Sequence, residues 1–268
     1  MRFGWAALAV FALTAGHVAN ARQDRCSDFT GQTVKPETFA QVVAAIGNVA
    51  PKDEYETTAQ YRARIAAASP GAQRIISKEV EDRKYFEYDA DTGMLRIRSY
   101  AIQNKEMNYW SAFYSAHPDG LKASTLSNIA VVVSSSDSAA GNYEAENSYG
   151  AKVTVQRLNR TTDAIFEREA KNFDEKLFAL TIGGPVASYI GQIKMTPAEA
   201  QAIKPQLRVA LVVAPRAPFM VLGRHQPGET TRQYPFEINE TFQIMIADIH
   251  CGLLMDGANR VIGAYATN

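Results

Sequence analysis

The chain has 268 residues, and its 28 Lys and Arg balance 28 Asp and Glu, so the formal net charge is zero. Hydrophobic residues make up 46% and charged residues 21%, which excludes a disordered tail, a collagen-like rod and a disulfide-dense mini-protein. Zero net charge provides no long-range field toward nucleic acid or anionic lipid. We therefore expect a globular protein with a full core and no nucleic-acid partner.

Residues 1–21 have the features of a secretory signal peptide. Arg2 provides a positive start, an apolar stretch follows, and residues 19–21 form an A-x-A cleavage site. We expect cleavage after Ala21 and a periplasmic or secreted mature chain, residues 22–268, with 27 bases and 28 acids. The alternative is a buried N-terminal helix.

We expect neither a transmembrane segment nor a lipid anchor in the mature chain. The signal's apolar stretch is shorter than the roughly 20 residues that span a bilayer, and later apolar runs are interrupted by charges. A bacterial lipoprotein has a cysteine directly after the cleavage site, whereas Cys26 follows three polar or charged residues.

The two cysteines, Cys26 and Cys251, are explained most simply as a disulfide formed in an oxidising compartment. Such a bond would join the two ends of the mature chain. The alternative is a reactive thiol at Cys251 beside His250. Because adjacent residues of a strand point to opposite faces, His250 is poorly placed to activate that thiol, and we predict the disulfide.

Three helices are predicted. Residues 36–49 carry apolar side chains at helical spacing. A second helix begins at a capping box formed by Thr57 and Gln60 and ends before a Ser-Pro-Gly sequence. A third, short helix near residues 196–204 begins at a capping box that starts with Thr196.

The remaining chain alternates with the period of strands. Residues 85–88 and 95–98 flank a glycine-containing turn and predict a β-hairpin. Further strands are predicted at residues 129–134, 151–158, 177–182, 207–213, 242–254 and 261–265. The small, polar residues 134–141 are predicted to form a mobile loop, and the charged run at 166–178 a solvated helical face or loop.

These elements predict an α+β fold. N-terminal helices, within residues 22–70, are expected to pack on a mainly antiparallel β-sheet or sandwich formed by residues 71–268, with one short helix inserted. No shift in composition separates the two parts, so we expect residues 22–268 to form one domain.

Motifs that hold metals or cofactors are missing from the sequence. The mature chain's histidines, His117, His225 and His250, do not have the spacing of a zinc helix or finger. The sequence contains neither a G-x-S-x-G nucleophile elbow nor a glycine-rich phosphate loop. A calcium-like D-x-D-x-G start at Asp89 has Tyr100 at the twelfth position, where glutamate is needed. We predict no metal and no cofactor.

Five residues remain as pocket candidates. His117 and Asp119 belong to a His-Pro-Asp-Gly turn, which is either an ordinary turn or a functional loop. Tyr109 and Trp110 begin an aromatic cluster that either packs in the core or lines a ligand pocket, and the core reading is favoured. His250 lies in the last long apolar run.

Residues 52–64 resemble a K-[DG]-E-[FY]-E-T-T-x-x-[FY]-x-x-R segment found near the start of various uncharacterised exported bacterial proteins. The resemblance implies a bacterial envelope protein, with no known activity or site. The segment itself predicts a capped helix entry with two aromatic anchors, Tyr55 and Tyr61, and with Arg64 available to pair with Glu54 or Glu56. Both a structural docking role and a recognition surface fit this pattern.

The function expected from these observations is non-catalytic. We expect a periplasmic binding or envelope-accessory protein whose partner is an envelope protein or a small ligand. The alternative is a periplasmic hydrolase whose site is assembled from distant loops, with His117, Asp119 or His250 as candidates. Self-assembly through exposed sheet edges is a third possibility.

Overall fold

A computed structural model describes residues 25–46, 50, 52–67, 73–103, 130–146, 149–167, 178, 182–184, 187–225, 230, 231 and 233–267. The expected signal peptide therefore lies outside the described residues, as does most of the segment between the third and fourth strands. Within the described ranges, no helix is both long and apolar enough to cross a membrane.

The described helices are short, and four of the strands are long, with 16 to 20 residues each. The α-helices are α1 (Phe39–Ile46), α2 (Thr58–Ala67) and α3 (Pro197–Ile203). The strands are β1 (Arg74–Lys78), β2 (Phe86–Asp89), β3 (Met94–Arg98), β4 (Ala130–Glu146), β5 (Lys152–Glu167), β6 (Ile182–Gly184), β7 (Ala187–Lys194), β8 (Arg208–His225), β9 (Phe236–Met255) and β10 (Val261–Ala266).

The larger sheet is mixed and curled. Its order is β1-β8-β9-β5-β4, with β10 also paired to β9, and every pairing is antiparallel except the parallel one between β5 and β9. The sheet curls far enough for its two edge strands to meet, because the amide of Glu79 donates to the carbonyl of Val133 at 2.8 Å. We call this contact the seam.

Strand β9 is long enough to pair with two partners in succession. Residues 236–247 pair with β5, and residues 251–255 pair with β10. Between these two stretches of β9, side chains bond to the backbone of Ile249. The Glu167 carboxylate accepts a hydrogen bond from the Ile249 amide at 2.5 Å, and the Thr267 hydroxyl donates to the Ile249 carbonyl at 2.7 Å. Buried backbone groups thereby keep their hydrogen bonds where one strand ends and the next begins.

The second sheet is antiparallel, with the order β2-β3-β7-β6. The main core takes buried side chains from both sheets, including Phe86, Leu95, Ile97 and Ile190 of this sheet and Ile76, Leu211, Val213, Met245 and Ile249 of the larger one. The ring of Tyr265 in β10 lies against Gly191 of β7, where a Cβ atom would stand 2.2 Å from the ring. Glycine at position 191 therefore allows this close approach.

The chain ahead of α1 pairs with the larger sheet. The Gly31 amide donates to the Val261 carbonyl, and the Val261 amide donates to the Gln32 carbonyl, both at 2.8 Å. Farther along, the Ser77 amide of β1 donates to the Glu37 carbonyl at 2.9 Å. These bonds hold the N-terminal segment against β10 and β1.

The predicted α+β fold, with N-terminal helices packed on a mainly antiparallel sheet, is wrong. More than half of the described residues lie in strands, about a fifth are helical, and the curled sheet is mixed. The reason is burial: α1 buries only Phe39 and Val42, whereas β9 is buried along most of its 20 residues. The core is therefore built between sheets, and the division at residue 70 stays a prediction.

Two local predictions also fail. Residues 134–141 are not a loop but part of β4, because their backbone pairs with β5 from Ser134 opposite Asp163 to Ala139 opposite Leu158. The charged run begins inside a strand, since Phe166 and Glu167 belong to β5 and are buried. Phe178 is buried as well, and the residues between lie outside the described ranges.

Other local predictions are confirmed. The hairpin pairs β2 with β3 in register, and Gly93 in its turn has a φ of +65°, which favours glycine. The helices α2 and α3 both begin at the predicted capping boxes. These signals depend on neighbours in sequence, which explains why they survive the change of fold class.

Candidate functional site

Cys26 and Cys251 form the predicted disulfide. Their sulfur atoms lie at bonding distance and their Cα atoms are 5.8 Å apart, across a sequence separation of 225 residues. Both cysteines are buried in a small apolar cluster between the N-terminal segment, β8, β9 and β10. The alternative of a reactive thiol at Cys251 is therefore excluded in this state.

Of the other site candidates from the sequence, His250 lies among the described residues and four lie outside them. His117, Asp119, Tyr109 and Trp110 lie outside the described residues. His250 is half-buried in β9, and its carbonyl accepts the Thr267 amide at 3.1 Å. Among the described residues, no group of three or more His, Cys, Asp or Glu could hold a metal ion.

Lys78 is a candidate that the sequence patterns missed. It is the last residue of β1 and is only 5% exposed, on the same buried face as Ile76. Its Nζ atom donates to the Glu79 carbonyl at 3.0 Å, and no carboxylate of the described chain lies within ion-pair distance. Burial lowers the pKa of Lys78 from 10.5 to about 8, against the opposing charges of Glu81 and Glu79.

Two cavities meet at Lys78. The first, which we call the seam cavity, has a volume of about 460 Å³ and lies between the end of β1 and strands β4 and β5. The second, the end cavity, has a volume of about 510 Å³ and lies between residues 77–83, the start of β8 and the turn after β9. Both volumes fall within the range of small-molecule sites in proteins, about 300–1,000 Å³.

The seam cavity is lined by hydroxyl groups and by charges of both signs. The Ser134 hydroxyl donates to the Asp163 carboxylate at 2.7 Å. Burial raises the pKa of Asp163, the hydrogen bond from Ser134 opposes that rise, and the charge of Glu79 adds to it. The guanidinium of Arg160, also in the lining, donates to both oxygens of Asp137 at 2.7 and 2.8 Å.

The end cavity carries three basic residues. Lys78, Arg83 and Arg208 line it, with Glu79 as the one acidic residue in the lining. An Arg83 Nη1 donates to the Leu207 carbonyl, and Arg208 Nη1 donates to Asn259 Oδ1 at 3.2 Å. The structure shows no carboxylate of the described chain in an ion pair with any of these three bases.

The Ser134 hydroxyl and the Lys78 ammonium line the same cavity without a hydrogen bond between them. A nucleophilic hydroxyl needs a hydrogen bond to the base that activates it. Ser134 instead donates to Asp163, and the one described acceptor of the Lys78 ammonium is a backbone carbonyl. In the described structure, Ser134 is therefore hydrogen-bonded to a carboxylate and not to Lys78.

The 52–64 segment is attached to the rest of the fold through Tyr61, and an ion pair joins two of its own residues. Tyr61 is 6% exposed and packs against Phe219 of β8, a residue with a φ of +69°. Arg64 donates to both oxygens of Glu56, at 2.9 and 2.8 Å, and lies over the Tyr61 ring. Tyr55 is 87% exposed, so the prediction that it is a second aromatic anchor is wrong.

The fold and this site define a mostly β protein with a disulfide between its ends and a lysine at the meeting point of two clefts. A scan against protein-family models, a search of curated proteins and a search of solved structures each found no match to this chain.

Proposed function

We propose that this chain is an exported, non-catalytic binding protein whose small ligand occupies the clefts that meet at Lys78. The observation that carries the proposal is the buried ammonium of Lys78, which lines both cavities and has one hydrogen-bond acceptor in the described protein. An ammonium has three N–H donors, and buried donors are normally satisfied. Acceptor groups of a ligand would complete them.

Export is supported by two independent features. The Cys26–Cys251 disulfide is typical of an oxidising compartment, because reducing systems keep cytosolic thiols free. Residues 1–21 have the order of charges, apolar residues and small residues that a secretory signal requires. The proposal therefore places the mature protein in the periplasm or outside the cell.

A hydrolase is the second candidate, and one observation favours it. Ser134, Ser135 and a lysine with a lowered pKa line the same cavity, and serine with lysine is a known nucleophile and base combination. The Ser134 hydroxyl donates to Asp163 and not to Lys78, which argues against a serine–lysine pair in this state. His250, a candidate from the sequence, is in the lining of neither cavity.

The proposal is tested on the exported protein, purified after secretion with its disulfide intact. Its melting temperature is measured against amino acids, dicarboxylates, sugars and sugar phosphates. We expect at least one compound to stabilise the wild type, to lose that effect in Lys78→Met, and to keep it in Lys84→Met, whose side chain is 89% exposed.

Mass spectrometry of the stabilising compound after incubation separates the two candidates. Recovery of the compound unchanged supports binding. Its conversion to products by the wild type, lost in Ser134→Ala, would replace the binding role with the hydrolase. If no compound stabilises the protein, both the binding function and the hydrolase function at Lys78 are contradicted.

A further inference from the structure

We infer that the ligand carries an anionic group, a carboxylate or a phosphate, and that Lys78, Arg83 and Arg208 hold this group in the end cavity. The inference rests on the proposed binding function and names the chemistry of the ligand. It starts from the charges of the lining, which has three bases and one acid, Glu79. A cavity with an excess of positive charge attracts anions.

The three bases are not neutralised within the described protein. Arg74, Arg96 and Arg98 provide a contrast, since each pairs with a carboxylate. The bases of the end cavity, in contrast, each donate to a neutral oxygen: a backbone carbonyl for Lys78 and Arg83, and an amide oxygen for Arg208. Those bonds use one donor group each, and a guanidinium has five N–H donors.

Arg83 and Arg208 are exposed residues, and each guanidinium has one hydrogen bond to the protein before any ligand arrives. Arg83 belongs to a short 3-10 turn, Arg83–Tyr85, that Asp82 caps, and it reaches back to the Leu207 carbonyl. Arg208 is held by Asn259, which has a φ of +62° in a turn organised by Asp256. Donors that are already oriented lose less conformational entropy when a ligand binds.

The rest of the lining indicates a small organic anion. Two half-buried apolar residues, Pro36 and Val80, form part of the wall. They would contact a carbon skeleton while the basic residues contact its charged group. The seam cavity does not share this preference, because Glu79, Glu81 and Lys78 line it and its Arg160 is already bound to Asp137.

The test measures binding by titration calorimetry, with succinate, glycerol 3-phosphate and inorganic phosphate as probes and succinamide as the uncharged match to succinate. We expect a charged probe to bind the exported wild-type protein and succinamide not to bind. Arg83→Gln and Arg208→Gln should each weaken binding about tenfold, since each removes a charge-assisted hydrogen bond. Lys84→Gln, on the neighbouring exposed residue, should bind as the wild type does.

The probes also separate the possible outcomes. Binding of succinate alone assigns a carboxylate, and binding of the two phosphates alone assigns a phosphate. If no charged probe binds, or if both arginine variants bind as tightly as the wild type, the inference of an anionic ligand in the end cavity is wrong. The binding function nevertheless survives if an uncharged compound stabilises the protein in a Lys78-dependent way.

Discussion

The Glu79 amide donates to the Val133 carbonyl at 2.8 Å and thereby joins the end of β1 to β4, the opposite edge of the same curled sheet. Lys78, the residue before Glu79, lines both the seam cavity and the end cavity. The contact also uses backbone groups at the two edges of the sheet. We therefore expect it to limit the pairing of these edges with another chain at that point.

Removing the donor of the seam should destabilise the protein. Glu79→Pro lacks the amide hydrogen, and the extended backbone of Lys78 suits a residue before proline. Relative to Glu79→Ala, which keeps the amide, we expect a loss of about 1–3 kcal/mol in the free energy of unfolding, measured with urea. Equal stabilities for the two variants would show that the seam bond is dispensable.

The stability of the protein should depend on the titration of Lys78. Its pKa is about 8 in the folded protein against 10.5 for an ordinary lysine. Between these pH values the unfolded chain binds more protons, so raising the pH through this window favours folding. Below pH 8 the buried charge destabilises the folded state.

Lys78→Met removes this titration. The stability of the variant relative to the wild type should be highest near pH 7 and should fall by roughly 2–3 kcal/mol by pH 10, measured by urea unfolding at each pH. Lys84→Met, at an exposed site, should show no such trend. A difference between Lys78→Met and the wild type that stays constant with pH would contradict the lowered pKa.

Loss of the disulfide should also destabilise the fold. The bond closes a loop across 225 residues, and we expect Cys26→Ser with Cys251→Ser to reduce the free energy of unfolding by about 2–5 kcal/mol. Dithiothreitol should reproduce this loss in the wild type and leave the double variant unchanged. An equal response of both proteins to the reductant would argue against the bond.

The contact between Gly191 and Tyr265 allows a specific test of how the sheets pack. Gly191→Ala would place a Cβ atom 2.2 Å from the Tyr265 ring, so we expect a loss of roughly 1–3 kcal/mol in thermal unfolding experiments. In a Tyr265→Ala background the same change should cost far less, because the clashing ring is gone. Additive losses in the double variant would exclude this contact as the cause.

Sequence patterns succeeded where an element is specified by its own neighbours. Glu199, three residues after Thr196, predicts the start of α3, and the turn containing Gly93 predicts the β2–β3 hairpin. Sequence patterns failed where pairing with a distant strand determines the local conformation. The serines of residues 134–141 are typical of a loop, yet each serine has a partner residue in β5 and they form a strand.

The sequence by itself predicted export and the pairing of Cys26 with Cys251, and the structure confirms the pairing. Both predictions depend on residue types, which the sequence gives directly. Only the tertiary structure decided the mixed sheet, the seam and the site. In the sequence, Lys78 is an ordinary charged residue at the end of a strand. It is buried because the next residue, Glu79, pairs with Val133, which lies 54 positions farther along the chain. No local sequence pattern covers that separation. Long-range pairing sets the environment of that ammonium group, and the environment sets its chemistry.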